Sequence, residues 1–140
     1  MERSVALREW LTAGLAAGIV GAIAMAAFLY VMLLRGVPTQ PVLGLPAWAG
    51  AGLGLQILVG AAWGVGYGYL ARSQPQIVRR PVVSGIVFGI VVYAAMQTLV
   101  IIDGAYHRPS APTTIAALCG YVVFYGLPVA LIVSRMLRRA

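Results

Sequence analysis

The chain has 140 residues, of which 61% are hydrophobic and only 9% charged, and its mean hydropathy is +0.93. Those shares lie far outside an ordinary soluble domain and mark an integral membrane protein; no stretch of mixed polarity is long enough for a nucleotide-binding α/β domain with a substrate domain. The net charge of +7 comes from ten arginines against Glu2, Glu9 and Asp103, and because the arginines lie in short segments between apolar runs they read as orienting charges, with no nucleic-acid partner implied.

In chain order, a short basic segment with Arg3 and Arg8 leads into an apolar run over residues 11–34. A signal peptide is the rival reading, since Ala22, Ala24 and Ala26 resemble a cleavage site, but the run continues through Phe28 to Leu34 and outlasts an apolar signal core of about 7–15 residues. Further runs follow over residues 48–71, 82–102 and 113–133, each reaching the roughly 20 residues a spanning helix needs. Pro46, Pro81 and Pro112 stand in or just ahead of the first turns, where a missing N–H costs nothing. Pro38, Pro41, Pro75 and Pro109 punctuate the connections, and Trp10, Tyr30, Trp48 and Tyr106 fall near span ends as interfacial anchors do. The fold class is therefore all-α: a single transmembrane domain, 1–140, forming a four-transmembrane-helix bundle.

Arg3, Arg8, Arg72, Arg79, Arg80, Arg135, Arg138 and Arg139 fall on one side of these spans, and only Arg35 and Arg108 on the other. The positive-inside bias places both termini and the middle segment in the cytoplasm, as for a multi-pass protein of the inner (cytoplasmic) membrane.

Residues 14–25 align with residues 85–96 at a constant offset of 71, matching Gly14/Gly85, Gly18/Gly89, Ile19/Ile90, Val20/Val91, Ala24/Ala95 and Met25/Met96. Trp63-Gly64-Val65-Gly66 is echoed more weakly by Tyr125-Gly126-Leu127-Pro128. The pattern predicts two tandem helical hairpins, a parallel repeat about an axis along the membrane normal. In lipid, helices associate by close backbone approach at small residues and by interhelical hydrogen bonds. Gly14 with Gly18, the glycine zipper Gly60, Gly64 and Gly68, and Gly85 with Gly89 should be the internal seams, with homodimerisation the competing use of the same spacing. Pro128, beside Gly126, should kink the fourth span by removing a hydrogen bond and crowding the carbonyl of Phe124.

Candidate chemistry is sparse. Asp103 with His107, Arg108 and Arg35 forms an outer-surface cluster, read either as an interfacial carboxylate paired with an arginine or as a small site for a proton, metal or ligand. Gln56, Tyr93, Gln97 and Cys119 fall at similar depth, Gln56 about 12 Å and Gln97 about 9 Å inside their span ends, and form a candidate polar layer. Gln56, Gly60, Trp63 and Tyr67 share one face of the second span, and Tyr93 and Gln97 share one of the third. The lone Cys119 gives no disulfide, zinc ribbon or iron–sulfur cluster. His107 with Asp103 and Ser110 lacks the second base and oxyanion hole of a hydrolase, and the glycines lie at helix-packing spacing, not in a phosphate loop. No catalytic or metal residues and no cofactor are assigned.

Small multidrug transporters also have four short helices but depend on a glutamate in the first span, which this chain lacks. The paired small-residue helices ending in Ala24-Met25 and Ala95-Met96, with the short basic middle segment, resemble uncharacterised small four-helix membrane proteins of bacteria. That resemblance implies a bundle in the bilayer and supplies no catalytic residues. The leading expectation is a non-catalytic membrane protein, either self-contained or an accessory or structural subunit, whose partners are the lipid bilayer and other membrane subunits or a second copy. The alternatives are a small transporter or channel along Gln56, Tyr93, Gln97 and Pro128, and a cofactor- or pigment-binding subunit using His107 as single axial ligand.

Overall fold

The computed structural model describes residues 2–37, 50–102 and 110–139. Every regular element among them is helical: α1 (Glu2–Leu34), α2 (Gly50–Ser73), the short α3 (Pro75–Arg79), α4 (Pro81–Ile102) and α5 (Ala111–Arg139), within which Tyr121–Gly126 winds as a π-helix. Four segments, Leu7–Leu34, Gly50–Ser73, Pro81–Ile102 and Ala111–Arg139, are long and apolar enough to cross a membrane. The chain is an all-α, multi-pass membrane bundle.

Local chemistry sets the helix ends. At the end of α1, Gly36 takes φ +76°. Its N–H reaches Leu33 O at 3.0 Å and Val37 N–H reaches Met32 O at 3.0 Å, the paired bonds of a Schellman ending, which a residue with a Cβ would strain. Ser110 starts α5: its hydroxyl accepts from Thr113 N–H at 3.4 Å and lies 2.9 Å from Thr113 Oγ1, with Pro112 in the first turn. Pro81 opens α4 as its position suggests, but Pro75, read from sequence as loop punctuation, opens α3. Its fixed φ and absent N–H suit a first helical residue equally well.

The bundle is held where backbones meet. A methyl group on Gly64 of α2 would lie 2.6 Å from Gly18 Cα and 2.7 Å from Gly18 N of α1, and closer still to Gly14 O. One on Gly126 of α5 would lie 2.8 Å from both Gly89 Cα and Gly89 N of α4, and closer still to Gly85 O. Gly68 abuts Trp10 O and Gly14 Cα, and Ala130 Cβ occupies the same relation to Gly85. Contacts run in opposite chain directions across both pairs, so α1/α2 and α4/α5 are antiparallel hairpins. They join mainly where α1 meets α5: Gly21 faces Tyr125 and Val129, Gly120 faces Phe28, and Phe28 stacks on Phe124 with centroids 4.8 Å apart. Met25, Val129 and Val133 fill the centre. The large side chains Leu58, Val83, Val87, Ile101 and Ile115 turn outward, as lipid permits without penalty.

The winding around Pro128 is irregular on one side: α-helical winding runs from Leu127 through Pro128, and the turn before it is π-helical. Pro128 cannot donate to Phe124 O, and the preceding turn is widened so that Leu127 N–H reaches back five residues to Val122 O.

Candidate functional site

The bundle interior is where polar and aromatic side chains converge. Along α2, Gln56, Gly60, Gly64, Tyr67, Gly68 and Ala71 are buried at helical spacing. Along α4 the buried set is Gly85, Phe88, Gly89, Val92, Met96 and Val100. Glycines on these faces admit rings beside them. Phe88 lies at the middle of an aromatic cluster, with centroids 4.7 Å from Tyr67, 5.8 Å from Tyr125 and 6.4 Å from Trp63. The rings fill the space between α2 and α4, which lack the direct glycine contact seen inside each hairpin.

Two hydroxyl contacts cross this interior. Tyr125 donates to Gly60 O at 2.6 Å, tying α5 to α2 at the carbonyl that Gly18 also approaches. Tyr67 Oη lies 2.8 Å from Ser84 Oγ, which in turn is 3.2 Å from both Ile77 O and Pro81 O. Because carbonyls only accept, the serine hydrogen goes to one of them and the tyrosine donates to the serine. That relay fixes the end of α2 to α3 and the start of α4. Ser134 Oγ, by contrast, is buried without a partner among the described residues.

Of the sequence-derived polar layer, Gln56 is buried at 8% exposure and has no hydrogen-bond partner among the described residues. Gln97 and Tyr93 are half-buried, and Tyr93 meets Tyr121 edge-on with centroids 5.6 Å apart. Cys119 is exposed: its neighbour Gly120 takes the inward position against Phe28, and one residue is about 100° of helical rotation. Arg35 is exposed just past α1, whereas Asp103, His107 and Arg108 lie outside the described residues. Among the described residues, no group of three or more His, Cys, Asp or Glu side chains is placed to hold a metal ion.

The sequence reading missed Ser84 and the inward role of Tyr125. A usable signal existed for both, since Tyr121 and Tyr125 are four apart beside Gly126, and Ser84 immediately precedes the glycine pair of α4. Chemically, this interior offers paired hydroxyls, packed rings and one amide, which suit helix adhesion better than proton transfer. The chain matches no protein-family model, curated protein or solved structure.

Proposed function

We propose that the protein is a non-catalytic membrane subunit, a closed four-helix bundle that docks against a further transmembrane helix through the outer face of α2. The observation that carries this reading is the contrast between the two faces of that helix. Its inner face is filled at backbone distance, and Tyr125 with the Phe88 cluster occupies the remaining interior, leaving little room for a solute path through one copy. On the outer face, Gly54 and Gly66 have nothing within 4 Å among the described residues and Ala62 is exposed, while α2 is the least apolar of the four spans. Small residues set between the outward Leu58 and Tyr69 leave a notched surface that suits contact with another helix. The test is mild-detergent purification with cross-linking: wild type should retain a membrane partner or a second copy, and Ala62→Leu/Gly66→Leu should release it with the bundle intact. A monodisperse single chain that supports solute flux in proteoliposomes would reject the proposal.

A small transporter or channel is the second reading, favoured by Gln56, a polar side chain at 8% exposure inside an apolar span with no hydrogen-bond partner among the described residues. Several copies would then have to share the pathway, and flux lost on Gln56→Leu with assembly retained would establish it.

We further propose a duplicated hairpin with the arginine-rich end in the cytoplasm. The two-hairpin reading is supported by matched contacts: Gly64 meets Gly14 and Gly18, Gly126 meets Gly85 and Gly89, and Val65 and Leu127 occupy equivalent places opposite Gly14 and Gly85. One register difference remains. Gly14 and Gly18 face the carbonyls of Gly64 and Gly60, four residues apart, whereas Gly85 and Gly89 face those of Gly126 and Tyr121, five apart. The π-helical turn absorbs that extra residue, so the second hairpin reads as the first with a single insertion.

A further inference from the structure

We infer that the arginine-rich end of the bundle carries a binding site for the phosphate headgroup of an anionic phospholipid. A cavity of about 410 Å³ opens there between the start of α1, the end of α2, α3 and the end of α5. Its wall divides by chemistry: Trp10, Val78 and Leu137 give an apolar floor continuous with the spans, and Arg72, Arg79 and Arg138 give the charged part.

The arginines are available. Arg138 is positioned by donating from Nη2 to Val78 O at 2.7 Å and to Arg79 O at 3.4 Å, which leaves its other N–H groups unused. Arg72 and Arg79 have no hydrogen-bond or ion-pair partner through their side chains among the described residues. Glu9 also lines the cavity, so the three guanidinium groups outnumber the carboxylate and the lining is cationic. Guanidinium forks match phosphate oxygens in shape and charge.

A second, independent feature asks for an acceptor. Trp10 is 8% exposed, is held edge-on to Tyr69 with centroids 5.6 Å apart, and its indole N–H is buried with no partner among the described residues. Buried tryptophan N–H groups ordinarily find one. Trp10 lines the cavity, and a small shift of its ring would bring that N–H to an acceptor there, such as a phosphodiester oxygen or an ester carbonyl.

Depth selects the source of the phosphate. Trp10 lies near the start of α1, and Arg72 and Arg138 lie in the last turns of α2 and α5, so the cavity sits at the ends of the apolar helices, where lipid phosphates would meet it. A soluble phosphate would satisfy the arginines but leave the apolar floor bare. A zwitterionic lipid would bring an ammonium group toward a lining in which guanidinium groups outnumber the one carboxylate.

The experiment uses the full-length, delipidated protein in detergent, titrated with phosphatidylglycerol or phosphatidylcholine and read by native mass spectrometry, with circular dichroism confirming folding of each variant. Wild type should prefer phosphatidylglycerol by about thirtyfold, as expected for two arginines each contributing about 1 kcal/mol toward an anionic lipid. R72A/R79A, altering two exposed side chains, should abolish the preference, and W10F, which keeps the ring and removes the N–H, should weaken phosphatidylglycerol binding without abolishing the preference. Millimolar inorganic phosphate should leave the bound lipid in place. Equal binding of the two lipids by wild type, a preference that survives R72A/R79A, or displacement by inorganic phosphate would each overturn the assignment.

Discussion

Replacing Gly64 with alanine tests the central physical claim, that backbone contact across the α1/α2 seam holds this bundle together. The added methyl would lie 2.6 Å from Gly18 Cα and 2.7 Å from Gly18 N, with Gly14 O nearer still. Carbon atoms rest at about 3.5–4.0 Å, so the helices must separate by about 1 Å, and a gap of that size forfeits about a quarter to a half of each dispersion contact it opens. Flanking contacts at Gly60 and Gly68 would open with it. Overpacking of this kind costs about 1–3 kcal/mol, and alanine recovers about 0.5–1 kcal/mol over glycine as a helix residue. The net expectation, from the middle of both ranges, is a loss of about 1 kcal/mol, or about 5-fold in the unfolding equilibrium. Reversible unfolding in mixed micelles at rising dodecyl sulfate fraction measures this directly. Gly66→Ala is the matched control, since nothing among the described residues lies within 4 Å of Gly66 on the same helix. If Gly64→Ala unfolds no more readily than Gly66→Ala, the seam does not hold the bundle.

Gly126→Ala should lose a similar amount, because its methyl would meet Gly85 and Gly89 as that of Gly64 meets Gly14 and Gly18; an unaffected midpoint would separate the two hairpins mechanically. Deleting Val123, an exposed residue inside the π-helical turn, should be tolerated, since the turn can close to α-helical winding with both flanks on their present faces. Deleting Ala62, exposed in α2, should instead prevent assembly by rotating Gly60 away from the face of Gly64; equal behaviour of the two deletions in size-exclusion chromatography would reject the one-residue insertion. Tyr125→Phe removes the bond to Gly60 O and should cost about 0.6–1.5 kcal/mol in the same unfolding assay, whereas Ser134→Ala, which removes a buried hydroxyl without a partner among the described residues, should be neutral or stabilising.

The sequence alone determined the solvent and the element type. Apolar length is additive along a run and needs no partner to be read, so four spans and an all-α class follow from residue order. Glycines at four-residue spacing likewise announced close approach, because only a missing Cβ lets backbones meet. Tertiary structure decided which faces meet. It set α1 against α5 through Gly21 and Gly120, turned Cys119 outward, brought Tyr125 to Gly60, and gathered Trp10, Arg72, Arg79 and Arg138 around one cavity from distant parts of the chain. In water a helix advertises its buried face by amphipathicity, but leucine in lipid is as well placed outside as inside. The rotation of each span is therefore left to contacts between helices, which no single segment contains.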